Sequence, residues 1–98
     1  MMRVPILLSL LCLLAFVTSA RATPTDSLTH AAEQAYIAGD HQQALGLYEA
    51  LNTEFTSAAL LYNIGNCHFK LGDYPQAILH YERALRLDPG SEEVHVNL

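Results

Sequence analysis

Apolar positions follow two regimes along the chain. From Val4 to Val17 every residue is apolar except Pro5 and Ser9, so a helix built from this run has no polar face. From Leu28 onward apolar residues recur three and four apart, the spacing of one face of an α-helix. Ala44, Leu45, Leu47, Tyr48 and Leu51 form one such stripe, and Ala77, Ile78, Tyr81, Ala84 and Leu85 another. The pattern predicts helices over about 27–38, 41–53, 58–71 and 74–87, with a fifth opening after Ser91. No stretch alternates apolar and polar residues for long, so the expected class is all-α.

The two stripes echo one another. Ala35-Tyr36-Ile37-Ala38-Gly39-Asp40-His41-Gln42-Gln43-Ala44-Leu45 aligns with His68-Phe69-Lys70-Leu71-Gly72-Asp73-Tyr74-Pro75-Gln76-Ala77-Ile78, and Tyr48 with Tyr81, at an offset of 33 throughout. A period of this length marks stacked supersecondary units. Gly39 and Gly72 stand where the first helix of each unit needs a left-handed C-terminal residue. Asp40 and Asp73 follow as N-caps of the second helix, with Gln43 and Gln76 placed to complete capping boxes. Pro75 falls in a first helical turn, where its missing N–H costs nothing, and Asp88-Pro89-Gly90 stops the last complete helix. Ser91 is an N-cap for the fifth, and Glu92 and Glu93 suit the positive end of its dipole. Ala44, Gly65, Ala77 and Ala84 are expected where paired antiparallel helices approach closely, and Tyr48 and Tyr81 where units meet.

The N-terminal run changes the picture of where the fold begins. Arg3 precedes it, and Thr18-Ser19-Ala20-Arg21-Ala22 follows it, which is the order of a secretory signal peptide with an A-x-A site and cleavage after Ala22. As a helix the run is about 21 Å long, short of the roughly 20 residues that span a bilayer. An uncleaved signal anchor and a lipoprotein acylated at Cys12 are the alternatives. Residues 1–22 are therefore expected to be a signal peptide, and residues 23–27 a polar linker that also offers helix caps.

Charge and titratable groups then exclude whole classes. The 98 residues carry a formal charge of −5. Beyond Ala22 only Lys70, Arg83 and Arg86 oppose all ten Asp and Glu, leaving −7. No Lys/Arg cluster exists to neutralise phosphates, so a nucleic-acid surface is excluded. His30, His41, His68, His80 and His95 lie on different helices with no His-x-x-x-His or Cys-x-x-Cys spacing, so no metal or other cofactor is expected. Cys67 and His68 are adjacent and point about 100° apart on a helix, so they do not converge on one substrate atom. Cys67 reads as a small buried hydrophobe, His68 as a packed half-buried ring, and Arg83 and Arg86 as solvated surface charge. No enzyme is expected.

Leu61-x-x-Ile64-Gly65-x-x-His68, then Ala77-x-x-x-Tyr81-x-x-Ala84, then Pro89, resembles the tetratricopeptide repeat pattern. Residues 58–91 form a full 34-residue unit. Residues 25–57 form a degenerate one, with Ala32 where the family prefers Gly, Leu51 where it prefers Ala, and no connecting proline. Residues 92–98 look like the start of a third, so the array is taken as 28–98. The resemblance implies tandem antiparallel helix pairs stacked as a short right-handed solenoid. Such units normally need about three or more to be stable, and the expectation is a fragment of a longer exported protein. Leu61 to Asn66, Ala77 to Pro89 and Glu92 to Leu98 also resemble the BatE group of bacterial envelope proteins, associated with aerotolerance operons.

The resemblance further implies a protein-binding groove lined by the first helix of each unit. Its residues here are Thr29, His30, Glu33 and Tyr36, then Tyr62, Asn63, Asn66, Phe69 and Lys70, then Val96 and Asn97. Amides at Asn63 and Asn66 donate and accept, which suits a peptide backbone of any sequence. Lys70 is the one groove cation, so the pattern departs from family members that clamp a C-terminal carboxylate. The expected function is a scaffold for another protein or peptide in the periplasm or cell envelope. The alternative is a structural oligomerisation module whose array is completed by a neighbouring chain.

Overall fold

A computed structural model describes residues 23–91. The expected signal peptide, the fifth helix, Val96 and Asn97 lie outside the described residues. Among the described residues the chain forms four helices and no strand: α1 (Pro24–Ile37), α2 (His41–Glu54), α3 (Ala58–Lys70) and α4 (Tyr74–Leu87). The pairs α1–α2 and α3–α4 pack as hairpins, and α2 packs on α3 to join them.

Helix α1 starts earlier than the apolar pattern indicates. Thr23 accepts a hydrogen bond from the Asp26 N–H at 3.1 Å, and the Asp26 carboxylate accepts from the Thr23 N–H at 3.4 Å. This closed capping box, with Pro24 in the first turn, makes helix out of the stretch read as a linker. The box lies wholly upstream of Leu28, where the apolar period begins.

Both intra-pair turns are built alike. Gly39 and Gly72 take φ of 84° and 80°, a region that favours glycine because it lacks Cβ. Their N–H groups donate to Tyr36 O and Phe69 O, while the Asp40 and Asp73 N–H groups donate to Ala35 O and His68 O, each at 2.9 Å. These are complete Schellman motifs. The same aspartates then cap the next helix, accepting from Gln43 N–H at 3.1 Å and Gln76 N–H at 3.5 Å. The capping boxes expected at Gln43 and Gln76 do not close, because each aspartate N–H is already committed to the preceding helix. An aromatic pair brackets each turn: Tyr36 with His41 at 4.9 Å between centroids, and Phe69 with Tyr74 at 5.3 Å.

Helix α3 holds the two pairs together through two stripes. Leu60, Ile64 and Cys67 join the buried cluster of Ala32, Ala35, Ala44, Leu45, Tyr48 and Leu51 from α1 and α2. Leu61 joins Ala77, Tyr81 and Ala84 of α4. Gly65 sits on this second stripe, and a Cβ there would lie 2.6 Å from the Tyr81 ring and 3.2 Å from Ala77 O. Glycine is therefore required by the approach of α4. Tyr48 lies in the cluster shared between pairs, as expected, whereas Tyr81 packs over Gly65 within its own pair. The close approach leaves the ring no route to the seam.

Candidate functional site

Successive helical residues are 100° apart, so the two packed stripes of α3 occupy one half of its circumference. The remaining half carries Tyr62, Asn63, Asn66, Phe69 and Lys70. Helix α1 spends Ala32 and Ala35 on the core, and its corresponding outer positions are Thr29, His30, Glu33 and Tyr36. Tyr36, Tyr62, Asn63, Asn66 and Thr29 are half-buried; His30, Glu33, Phe69 and Lys70 are exposed.

The structure draws part of this set together. Burial raises the Tyr36 hydroxyl above the usual phenol range, with Cys67 and Tyr62 adding to the effect. Tyr62 lies against Tyr81 with ring centroids 5.8 Å apart, and the Tyr81 hydroxyl donates to Asn66 Oδ1. Burial pushes the Tyr81 hydroxyl up to about 12, with Tyr62, Tyr36 and Cys67 contributing. Tyr48 is likewise pushed up to about 12, by burial first and then by Cys67, Glu33 and Tyr36. Tyr36, Tyr62 and Asn66 thus form a strip between α1 and α3, underlaid by Tyr48 and Tyr81. At neutral pH Tyr36, Tyr48 and Tyr81 keep their protons, so the strip carries hydroxyl and amide groups rather than fixed charge, with the buried Tyr81 hydroxyl already spent on Asn66 Oδ1.

Other expected members stand apart from the strip. Thr29 donates back to Thr25 O at 3.0 Å. Phe69 turns to Tyr74 at the end of the pair. Tyr48 and Tyr81 were not among the expected site residues, because their positions on second helices read as core. The signal available was the hydroxyl itself, which a residue serving only to fill space does not need.

Neighbouring groups define what this region does not supply. Cys67 is fully buried, and burial, with Glu49 adding, pushes its thiol up to about 11. A protonated, inaccessible thiol is no nucleophile. His68 stacks on His80 with centroids 5.2 Å apart, and its Nδ1 lies 3.8 Å from Asp73. Among the described residues no group of three or more His, Cys, Asp or Glu is placed to hold a metal ion. No helix among them is long and apolar enough to cross a membrane.

Comparison with known proteins falls on the second helix pair. A family model of the tetratricopeptide repeat matches residues 58–91, which span α3, the Gly72 turn, α4 and the Asp88-Pro89-Gly90 stop. No curated protein matches the chain. Repeats of this family are typically interaction modules without catalysis. Residues 58–91 are a tetratricopeptide repeat, and the turn geometry of that repeat recurs in the helix pair before it.

Proposed function

We propose that the chain is an exported scaffold of the cell envelope, similar to the BatE group, that holds an extended segment of another protein against the outer face of α1 and α3. The strip of Tyr36, Tyr62 and Asn66 over Tyr48 and Tyr81 carries this reading. Tyr62 and Asn66 lie on the half of α3 outside its two buried stripes, and neutral hydroxyl and amide groups of this kind match a peptide backbone. The signal-peptide order of residues 1–22 supports export. A photo-crosslinking amino acid at Tyr62 is expected to trap a discrete partner. Asn66→Ala with Lys70→Ala is expected to abolish that capture while helicity by circular dichroism is unchanged. Capture that survives the double substitution rejects the face.

Self-association is the second reading, and one contrast favours it. Leu45 on α2 is 7% exposed beneath α3, whereas Ile78, its counterpart on α4, is 49% exposed. A second chain laid on α4 would cover Ile78 as α3 covers Leu45. Light scattering at about 100 μM decides it, since a strict monomer well above micromolar contacts discards the reading.

A further inference from the structure

A second surface lies away from the tyrosine strip. Asn52 in the last turn of α2, Thr56 in the loop that follows it, Leu61 of α3, and Arg83, Arg86 and Leu87 of α4 line a wide-mouthed cleft of about 430 Å³. Leu61 is nearly buried and forms an apolar floor, and Leu87, 54% exposed, forms an apolar lip. Arg83 and Arg86 are exposed one helical turn apart, and among the described residues no carboxylate lies within ion-pair distance of either. Like charges so placed repel, a cost offset in part at Arg86 by its place in the last turn of α4, where the helix dipole favours a cation. The described residues hold three Lys and Arg against eight Asp and Glu, and two of the three cations meet at this cleft.

Asn52 supplies an independent observation. Its Oδ1 is sealed from water and receives no hydrogen bond. The position on α4 that corresponds at an offset of 33 is Leu85, a half-buried hydrophobe packed in the core of its pair. A leucine would serve packing at Asn52 as well, so the unpartnered amide oxygen is a cost to the fold.

We propose that this cleft docks an acidic, extended segment of a partner protein, with carboxylates on Arg83 and Arg86 and an apolar side chain between Leu61 and Leu87. Charge complementarity selects this occupant. The described surface is net acidic, and the paired arginines are the place where two of its three cations adjoin, binding carboxylates through short charge-assisted hydrogen bonds. Geometry agrees. The arginines rise about 4.5 Å apart along α4, and alternate side chains of an extended strand are about 6.6 Å apart, a gap that flexible arginine side chains close. A wide-mouthed cleft does not enclose a small ligand, whereas a passing chain needs only one wall. The proposal is independent of the tyrosine strip.

The test uses the full chain and a labelled peptide, Gly-Glu-Leu-Glu-Leu-Gly, blocked at both ends so that no terminal carboxylate is present. Fluorescence anisotropy at about 50 mM salt is expected to show saturable binding that weakens at about 300 mM, as screened charge requires. The Gln-for-Glu peptide, and the variant Arg83→Gln with Arg86→Gln, are each expected to bind at least about tenfold more weakly. Circular dichroism on each variant confirms that the helices persist; a Leu87→Ser variant, on the exposed lip, supplies a second loss of binding that leaves both charges in place. Equal binding of the Glu and Gln peptides overturns the proposal. So does retention on the arginine variant, or no saturation below about 1 mM.

Discussion

The two helix pairs share a turn and differ at their seams. Around Gly39 and Gly72 the same hydrogen bonds, the same capping aspartate and the same aromatic bracket recur. Across the helix interface they diverge: Gly65 lies beneath Tyr81 in the second pair, where the first has Ala32, and Ala84 replaces Leu51. The faces turned toward the preceding unit diverge further. Helix α3 presents Leu60, Ile64 and Cys67 to the first pair, while the matching positions of α1 are Ser27, Ala31 and Gln34. The turn is a local device that each pair needs alone. The seam depends on what lies on the other side, so it varies with position in the array.

The sharpest way to break that contrast is at Ile64, fully buried where the pairs meet. Ile64→Ala is expected to cost about 2–5 kcal/mol, a large share of the total stability of a domain this size. Ala31→Gly, the matching exposed position, is expected to lose only about 1 kcal/mol through helix propensity. Urea denaturation of both variants checks the ranking. Equal losses would mean that α3 does not bridge the pairs.

Gly65→Ala comes next. The methyl gains helix propensity worth about 1 kcal/mol but strikes the buried Tyr81 ring, and overpacking costs about 1–3 kcal/mol, so a net loss is expected. Combining it with Tyr81→Leu removes the obstacle, and a double-mutant cycle is expected to show coupling of at least about 0.5 kcal/mol. The shared turn calls for the opposite result. Asp40→Ala and Asp73→Ala are expected to cost about 1 kcal/mol each, and to differ little, because their bonds are the same.

These rankings also separate what the amino-acid order made legible from what it did not. Helices, glycine turns and aspartate caps rest on contacts within five residues, so a local pattern encodes them. The capping boxes expected at Gln43 and Gln76 were a misreading of the same local pattern, since an aspartate directly after a left-handed glycine has its N–H claimed by the Schellman bond. The start of α1 was missed because the apolar period begins only at Leu28, after the cap and first turn are complete. The place of Tyr81 in the candidate site depends on a hydroxyl meeting Asn66 across 15 residues, and no spacing rule carries that pairing. The arginine cleft was read as solvated charge for the same reason: Asn52, Leu61 and Arg83 converge only when three helices are assembled.

The smallest expected effect sharpens the comparison by pH. His68 and His80 stack in the second pair, whereas the matching positions of the first are Ala35 and Leu47, which do not titrate. Burial holds His68 below its ordinary value of 6.5, and His80 across the interface lowers it further. Asp73 at the turn and Glu49 on α2 oppose the shift without cancelling it. The unfolded chain therefore binds this proton more readily than the folded one. The stability that His68 contributes is full above about 6.5 and falls as acid carries the pH below that value toward the lowered one. His80→Gln removes the neighbouring positive charge and is expected to flatten this loss. Glu49→Gln removes an attractive charge and is expected to steepen it. Urea midpoints at pH 7.5, 6.5 and 5.5, each relative to the same variant at the highest pH, read the slopes. Parallel slopes for His80→Gln and Glu49→Gln would place the acid sensitivity outside the second pair's histidine stack.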